Sequence, residues 1–122
     1  MNNVSAIHHV SLIIADVSVS IAFYAGLLGL EQAERPQLSF PGVWFRIGDQ
    51  QLHLLQVPDP DAASQRPAHG GRDRHLALSV ENLEQLCSSL DAKAVPYTRS
   101  KSGRAAIFCR DPDGNALELI QK

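Results

Sequence analysis

A chain of 122 residues, of which 44% are hydrophobic and 20% charged, carries too many aliphatic side chains to be disordered and fits one folded domain, 1–122. Its formal net charge of −2 and the lack of any run of Lys or Arg exclude an electrostatic footprint for nucleic acid or an acidic membrane, which points to a small-molecule partner. The opening Met1-Asn2-Asn3-Val4-Ser5 has no basic stretch, and the apolar run Val10 to Ala15 is broken by Ser11 and stopped by Asp16; neither a signal peptide nor a membrane span is expected, and a cytoplasmic location follows by default.

Residues 7–14 alternate apolar and polar as a strand does. Asp16 or Ser18 can then cap a helix through Ile21, Phe23, Tyr24, Leu27 and Leu28, closed by Gly29. Strands are predicted over 30–35, 43–47 and 51–57, completing a first module of about 4–57. The stretch 58–73, rich in Pro, Gly, Asp and Ala and without periodicity, reads as a linker whose residues could still edge a pocket. A strand at 74–80 opens a second module, 74–122. Asn82 with Gln85 resembles a capping box before Leu83, Leu86, Cys87 and Leu90 at helical spacing, and Pro96 cannot continue that helix. Strands near 95–99, 105–109 and 116–121 follow, the last two joined by the turn-forming Asp111-Pro112-Asp113-Gly114-Asn115. Cys87 and Cys109 lack CxxC spacing and read as reduced core residues.

The two modules repeat one plan. Val10, Leu12, Ile14 and Val17 fall on Leu76, Leu78, Val80 and Leu83 at an offset of 66, and Leu52-His53-Leu54-Leu55 falls on Leu117-Glu118-Leu119-Ile120 at an offset of 65. Two copies of so long a unit indicate a duplicated module rather than a solenoid. The fold class expected is therefore α+β, two tandem βαβββ modules. Each half alone, at about 60 residues, would bury little surface, so the halves are expected to support one another.

Strand alternation sorts the side chains into two faces. Val10, Leu12, Ile14, Leu52, Leu54, Leu76, Leu78, Val80, Leu117 and Leu119 share one face and are expected to pack on the helices. His9, His53, His75 and Glu118 share the other, beside small or polar Ser11, Gln51, Ala77, Ser79 and Ala116. Singly, a strand histidine is more often structural than a ligand; four such residues related by the same repeat favour a common cup holding one divalent metal. Three imidazoles and a carboxylate suit zinc, nickel, manganese, cobalt or iron(II), and with one ligand charge the ion would remain a usable Lewis acid. Trp44 and Phe45 point in opposite directions, so one lines the cup and the other packs in the core. Arg35, Arg46, Lys101 and Arg104 are candidates to grip a substrate carboxylate, Arg35 and Arg104 with Trp44 forming the expected substrate-binding set. His8 has the wrong strand parity, and His69, beside Gly70-Gly71, is expected to be solvated.

His9-Val-Ser-Leu, Asp16, Phe23-Tyr24, Leu28-Gly29-Leu30, His75-Leu-Ala-Leu-Ser-Val and Asp111-Pro-Asp-Gly-Asn-Ala-Leu-Glu118-Leu together resemble the vicinal oxygen chelate superfamily, the group of glyoxalase I, bleomycin-resistance proteins and extradiol dioxygenases, across nearly the whole chain. The Trp44-to-Gly48 and Leu52-to-Leu55 stretches look most like its small glyoxalase-I-like members. The resemblance implies a curved mixed sheet around the metal, with His9, His53, His75 and Glu118 at the ligand positions, and a homodimer. It implies a lyase or isomerase acting on vicinal oxygens, as in the hemithioacetal of a 2-oxoaldehyde, with Glu118 as the catalytic proton carrier. Glyoxalase I enzymes usually carry glutamate where this chain has His53. Alternatives within the same resemblance are an iron(II) ring-cleaving dioxygenase using His9, His75 and Glu118, and a drug-binding protein without catalysis.

Overall fold

The computed structural model describes residues 3–61 and 65–122; residues 1–2 at the start of the expected domain and 62–64 of the expected linker lie outside the described residues. The chain divides into two units, Met1–Pro58 and Asp59–Lys122.

In the first unit, β1 (His9–Ile14) leads into α1 (Val17–Ile21), which continues as π-helical turns over Ala22–Leu27; β2 (Glu31–Ala33), β3 (Gly42–Ile47) and β4 (Gln50–Gln56) follow. The sheet order is β1-β4-β3-β2, with β1 parallel to β4 and β3 antiparallel to both its neighbours. Asp16 caps α1 through its carboxylate, which accepts from the Val19 amide at 3.1 Å, and the Gln56 side chain accepts from the Val17 amide at 2.9 Å. Sequence spacing predicts an ordinary α-helix to Gly29. Instead the Leu28 amide reaches back five residues to Phe23 at 3.0 Å, and this wider turn lets the consecutive aromatics Phe23 and Tyr24 both be buried. Gly29, at φ 78°, then reverses the chain in a region that disfavours any side chain.

The second unit repeats the plan with β5 (His75–Val80), α2 (Leu83–Ala92), β6 (Tyr97–Arg99), β7 (Ala106–Arg110) and β8 (Ala116–Gln121), in sheet order β5-β8-β7-β6. The helix cap repeats as well: Asn82 accepts from the Gln85 amide at 3.0 Å, and Gln121 accepts from the Leu83 amide at 2.9 Å. Leu83, Cys87 and Leu90 are the buried residues of α2. Ala94, at φ 55°, occupies the left-handed position after the helix that glycine usually takes. Two four-stranded mixed sheets in tandem βαβββ modules bear out the expected fold class.

Register carries the repeat down to single residues. His9 pairs with Gln51 and Ser11 with His53 in the first sheet; His75 pairs with Ala116 and Ala77 with Glu118 in the second. The aliphatic face forms the core: Ile14, Phe45, Leu52 and Leu54 in one unit, Ile107, Leu117 and Leu119 in the other. Burying one such side chain contributes about 1.5–3 kcal/mol. Val10, Leu12, Leu76 and Leu78 are only half-buried, because β1 and β5 are each the end strand of their own sheet. Strands expected over 30–35 and 95–99 shrink to Glu31–Ala33 and Tyr97–Arg99. Among the described residues, no helix is long and apolar enough to cross a membrane.

The second half of the expected linker is not a free tether. Residues Gly70–Arg72 form a 3-10 turn against β7 and β8. Arg110 fastens this segment, its guanidinium donating to the Asp73 carboxylate at 2.8 Å, to the Gly114 carbonyl at 2.7 Å and to the Pro67 carbonyl.

Candidate metal centre

Within the first unit, β1 and β4 bring His9 and His53 together with ring centroids 4.1 Å apart, and Trp44, opposite His53 on β3, stacks on its other side at 3.8 Å. His53 is thus held flat in a three-ring stack and is 7% exposed. Its Nε2 lies 2.8 Å from the Gln51 amide oxygen, which accepts, so Nε2 carries the proton and Nδ1 keeps the lone pair. Burial first, then the neighbouring His9, His8 and Arg35, holds the His53 imidazole below its usual 6.5. That favours the neutral form a metal ligand needs. Phe45, by contrast, is fully buried in the core, which settles the directions of the Trp44–Phe45 pair. His8 is exposed and its Nδ1 lies 2.9 Å from Nδ1 of His9.

Within the second unit, β5 and β8 bring His75 to Glu118, Nε2 to Oε1 at 3.2 Å. Nδ1 of His75 lies 2.9 Å from the Asp73 carbonyl oxygen, which can only accept, so the proton sits on Nδ1. In a neutral ring the Nε2 lone pair then faces a carboxylate oxygen. Two acceptors at that distance repel each other unless a proton or a metal cation stands with them, and a ring fixed by a carbonyl at its far nitrogen is how ligating histidines are commonly held. The donor chemistry therefore fits a divalent ion. Glu118 is 3% exposed, and its second oxygen accepts from Arg104 at 3.0 Å.

The other sequence candidates part company. Arg35 donates to the Phe40 carbonyl at 2.6 Å and lies over the Phe40 ring, while Arg46 pairs with Glu31 on the surface. Of the arginines proposed to meet a substrate, Arg104 is in contact with a candidate ligand and Arg35 is occupied within its own loop. His69, expected to be solvated, is half-buried: its ring stands edge-on to Phe108 at 5.0 Å, and its Nδ1 is 3.3 Å from the Thr98 hydroxyl. Gly71 permits this fold-back, since a Cβ there would come within 2.9 Å of His69 Nε2 and 3.2 Å of Phe108 Cζ. Sequence reasoning missed Asp73, Arg110 and Phe108. Phe108 lies opposite Glu118 and meets His75 edge-on at 5.3 Å; its parity on β7 was the one available signal. In neither unit do three or more described His, Cys, Asp or Glu side chains gather; the candidates come as one pair per unit.

Comparisons with known proteins bear on the family and the fold. A family model described as the Glyoxalase/Bleomycin resistance protein/Dioxygenase superfamily matches residues 6–119. The chain is 28% identical over 123 residues to a protein of Arabidopsis thaliana named glyoxylase I 4, covering 96% of this chain and 71% of that one. It is 31% identical over 125 residues to the lactoylglutathione lyase of Salmonella typhimurium, covering 93% and 90%. Among solved structures, a putative glyoxalase family protein from Bacillus anthracis superposes with a TM-score of 0.82 at 20% identity, covering 100% of this chain and 98% of that one. A fosfomycin resistance protein, FosX, from Listeria monocytogenes, solved with Mn(II) and a dihydroxypropylphosphonic acid, superposes with a TM-score of 0.77 at 16% identity, covering 97% and 92%.

Proposed function

Since the chain belongs to the glyoxalase/bleomycin resistance protein/dioxygenase superfamily, we propose that it is a metal-dependent lyase or isomerase acting on a small substrate with two adjacent oxygens, such as the hemithioacetal of a 2-oxoaldehyde. The observation that carries this reading is the His75–Glu118 pair, in which the imidazole Nε2 and a carboxylate oxygen face one another at 3.2 Å while Nδ1 is held by the Asp73 carbonyl. His9 and His53 with His75 and Glu118 form the ligand set of one divalent ion, completed within one chain or between two copies in a homodimer. Zinc, nickel, manganese, cobalt and iron(II) all suit this donor set; relatives support a divalent ion, the Listeria protein having been solved with Mn(II).

An ion held by His9, His53, His75 and Glu118 would supply Lewis acidity that makes a carbon-bound hydrogen of the substrate more acidic. The chain's own residues do the rest. Glu118, with its second oxygen held by Arg104, takes the proton from one carbon and returns it to the next. Arg104, more than half exposed, can turn from Glu118 to an anionic group on the substrate. Trp44, stacked on His53, keeps that imidazole in one plane.

The test is turnover of a methylglyoxal–thiol adduct by metal-loaded protein, followed by absorbance, alongside elemental analysis. One ion per ligand set, lost both in His9→Ala and in Glu118→Ala, is the expected result. Metal-loaded protein that leaves a panel of such adducts unchanged overturns the reaction, and metal content indifferent to either substitution overturns the ligand set. One observation favours a second reading: the His53 ring is held flat between His9 and Trp44 and almost wholly buried, and with that ring set aside in the stack His9, His75 and Glu118 form a three-residue iron(II) set for an oxygenase. Oxygen uptake with a catechol under iron(II) separates the two.

A further inference from the structure

Each unit sets a hydrogen-bonding partner against Nδ1 of the histidine that opens its first strand. In the second unit Nδ1 of His75 lies 2.9 Å from the Asp73 carbonyl oxygen, two residues back. In the first, Nδ1 of His9 lies 2.9 Å from Nδ1 of His8, one residue back, with the two rings edge to face and their centroids 5.1 Å apart. The nitrogen and the distance repeat; only the partner differs, an imidazole standing where the other unit has a carbonyl. The His8 backbone is fixed at the mouth of β1, since its carbonyl accepts from the Gln51 amide at 3.2 Å.

The remaining hold on His9 is through its face. His53 stacks on it with centroids 4.1 Å apart and planes 20° off parallel, and His53 is itself fixed by Trp44 and the Gln51 side chain. A stack sets the plane of an imidazole but is nearly indifferent to a half-turn about Cβ–Cγ, which keeps the plane and exchanges nitrogens for carbons. The His8 contact removes that freedom, because only one of the two half-turns brings Nδ1 to His8.

One proton serves the pair of Nδ1 atoms, and two arrangements are open to neutral rings. If His8 donates, the His9 proton sits on Nε2 and that nitrogen has no lone pair for a metal. If His9 donates, its proton sits on Nδ1 and Nε2 is free to ligate. The second arrangement is the one His75 already has through the Asp73 carbonyl, and the one in which ligating histidines are commonly held.

We propose that His8 is a positioning residue for His9: its Nδ1 accepts from Nδ1–H of His9 and so presents the Nε2 lone pair of His9 to a divalent ion. This role rests on the metal-dependent function proposed above; the contact between the two rings does not.

The experiment uses the full-length protein labelled with ¹⁵N-histidine at pH 8, with long-range ¹H–¹⁵N spectra of the imidazoles before and after zinc is added. Zinc affinity is measured by chelator competition for the parent, His8→Phe and His8→Asn. Phe keeps a planar ring without an acceptor, whereas Asn carries its amide oxygen the same two bonds beyond Cβ as Nδ1. Zinc is expected on Nε2 of His9, with the proton on Nδ1 and with His8 in the single form that has its proton on Nε2. Affinity falls about tenfold in His8→Phe, the low end for a supporting contact because both rings are exposed, and is restored in His8→Asn. An unchanged urea midpoint in His8→Phe separates this loss from structural damage, and the tautomers are read in the parent whether or not a variant folds. Zinc on Nδ1 of His9, His8 with its proton on Nδ1 in the zinc form, a folded Phe variant as tight as the parent, or an Asn variant no tighter than Phe each overturn the proposal. Zinc bound without change at His9 overturns the ligand set and the proposal together. Zinc held through His9 in a protein inactive on every adduct refutes the catalytic reading and leaves His8 its role, whereas an active protein whose zinc affinity ignores His8 refutes that role alone.

Discussion

Replacing Arg110 by Met keeps most of the side chain's apolar stem and removes a guanidinium that holds three oxygens, those of Asp73, Gly114 and Pro67. A hydrogen bond from a charged donor is worth about 1.5–3 kcal/mol, and breaking a fully buried ion pair costs about 3–5 kcal/mol. Here the Arg110 side chain is 27% exposed and that of Asp73 8%, so water compensates part of the loss, and a destabilisation of about 2–4 kcal/mol is expected. The consequence reaches the candidate metal centre through one residue. The Asp73 carbonyl receives Nδ1–H of His75, so a loosened Asp73 releases the ring that points Nε2 at Glu118. Loss of such a supporting contact lowers metal affinity by about 10–100-fold. The hydrogen bond from Arg110, partly opposed by burial, holds the Asp73 carboxyl below its ordinary 3.8. The stabilisation is therefore present above about pH 4 and is lost as pH falls through the depressed value, so the variant should show a smaller acid-side loss than the parent. Urea unfolding at neutral and acid pH, with a competitive metal titration, measures all three effects. An Arg110→Met protein with unchanged urea midpoint and unchanged metal affinity refutes the chain of contacts from Arg110 to His75.

Glu118→Gln keeps the shape but removes the charge; the reaction should slow by about 10²–10⁴-fold, a loss that Arg104→Met does not reproduce, as steady-state rates with the same adduct would record. His53, held below 6.5, makes the first unit resist protonation that the unfolded chain accepts, so stability should decline as pH falls from about 6.5 through the depressed value. His53→Asn flattens that decline in urea midpoints, and an NMR titration placing His53 above 6.5 contradicts the assignment. Burial pushes the Cys109 thiol up to about 12, so at pH 8 it should escape alkylation by iodoacetamide until the chain is unfolded; rapid native-state modification of Cys109 seen by mass spectrometry would contradict the burial.

Period-two alternation made both modules legible, because a sheet covered on one side by helices needs aliphatics at every second position. The same alternation put His9, His53, His75 and Glu118 on the face away from the helices, but the neighbours within each unit, His9 with His53 and His75 with Glu118, follow from the parallel pairing of first and last strands, which alternation alone does not reveal. What stayed hidden depends on tertiary approach. Nothing in the spacing of Phe23, Tyr24 and Leu27 distinguishes a 3.6-residue turn from the wider one that buries both aromatics. Gly70-Gly71 marks a turn in any sequence, but only the approach of His69 and Phe108 to Gly71 explains why a side chain is missing at that second position. Arg110 reads as a surface cation ahead of the last hairpin turn, since its three acceptors lie 37, 4 and 43 residues away.

Each module ends on a glutamine that reaches back to the start of its own helix, across 39 residues for Gln56 and 38 for Gln121. Such a latch forms only after the whole intervening chain has been laid down, so it rewards completion and gives nothing to a partly assembled unit. Clipping the last two residues should thus unfasten the amino end of α2, far along the chain, together with the final rung of β8.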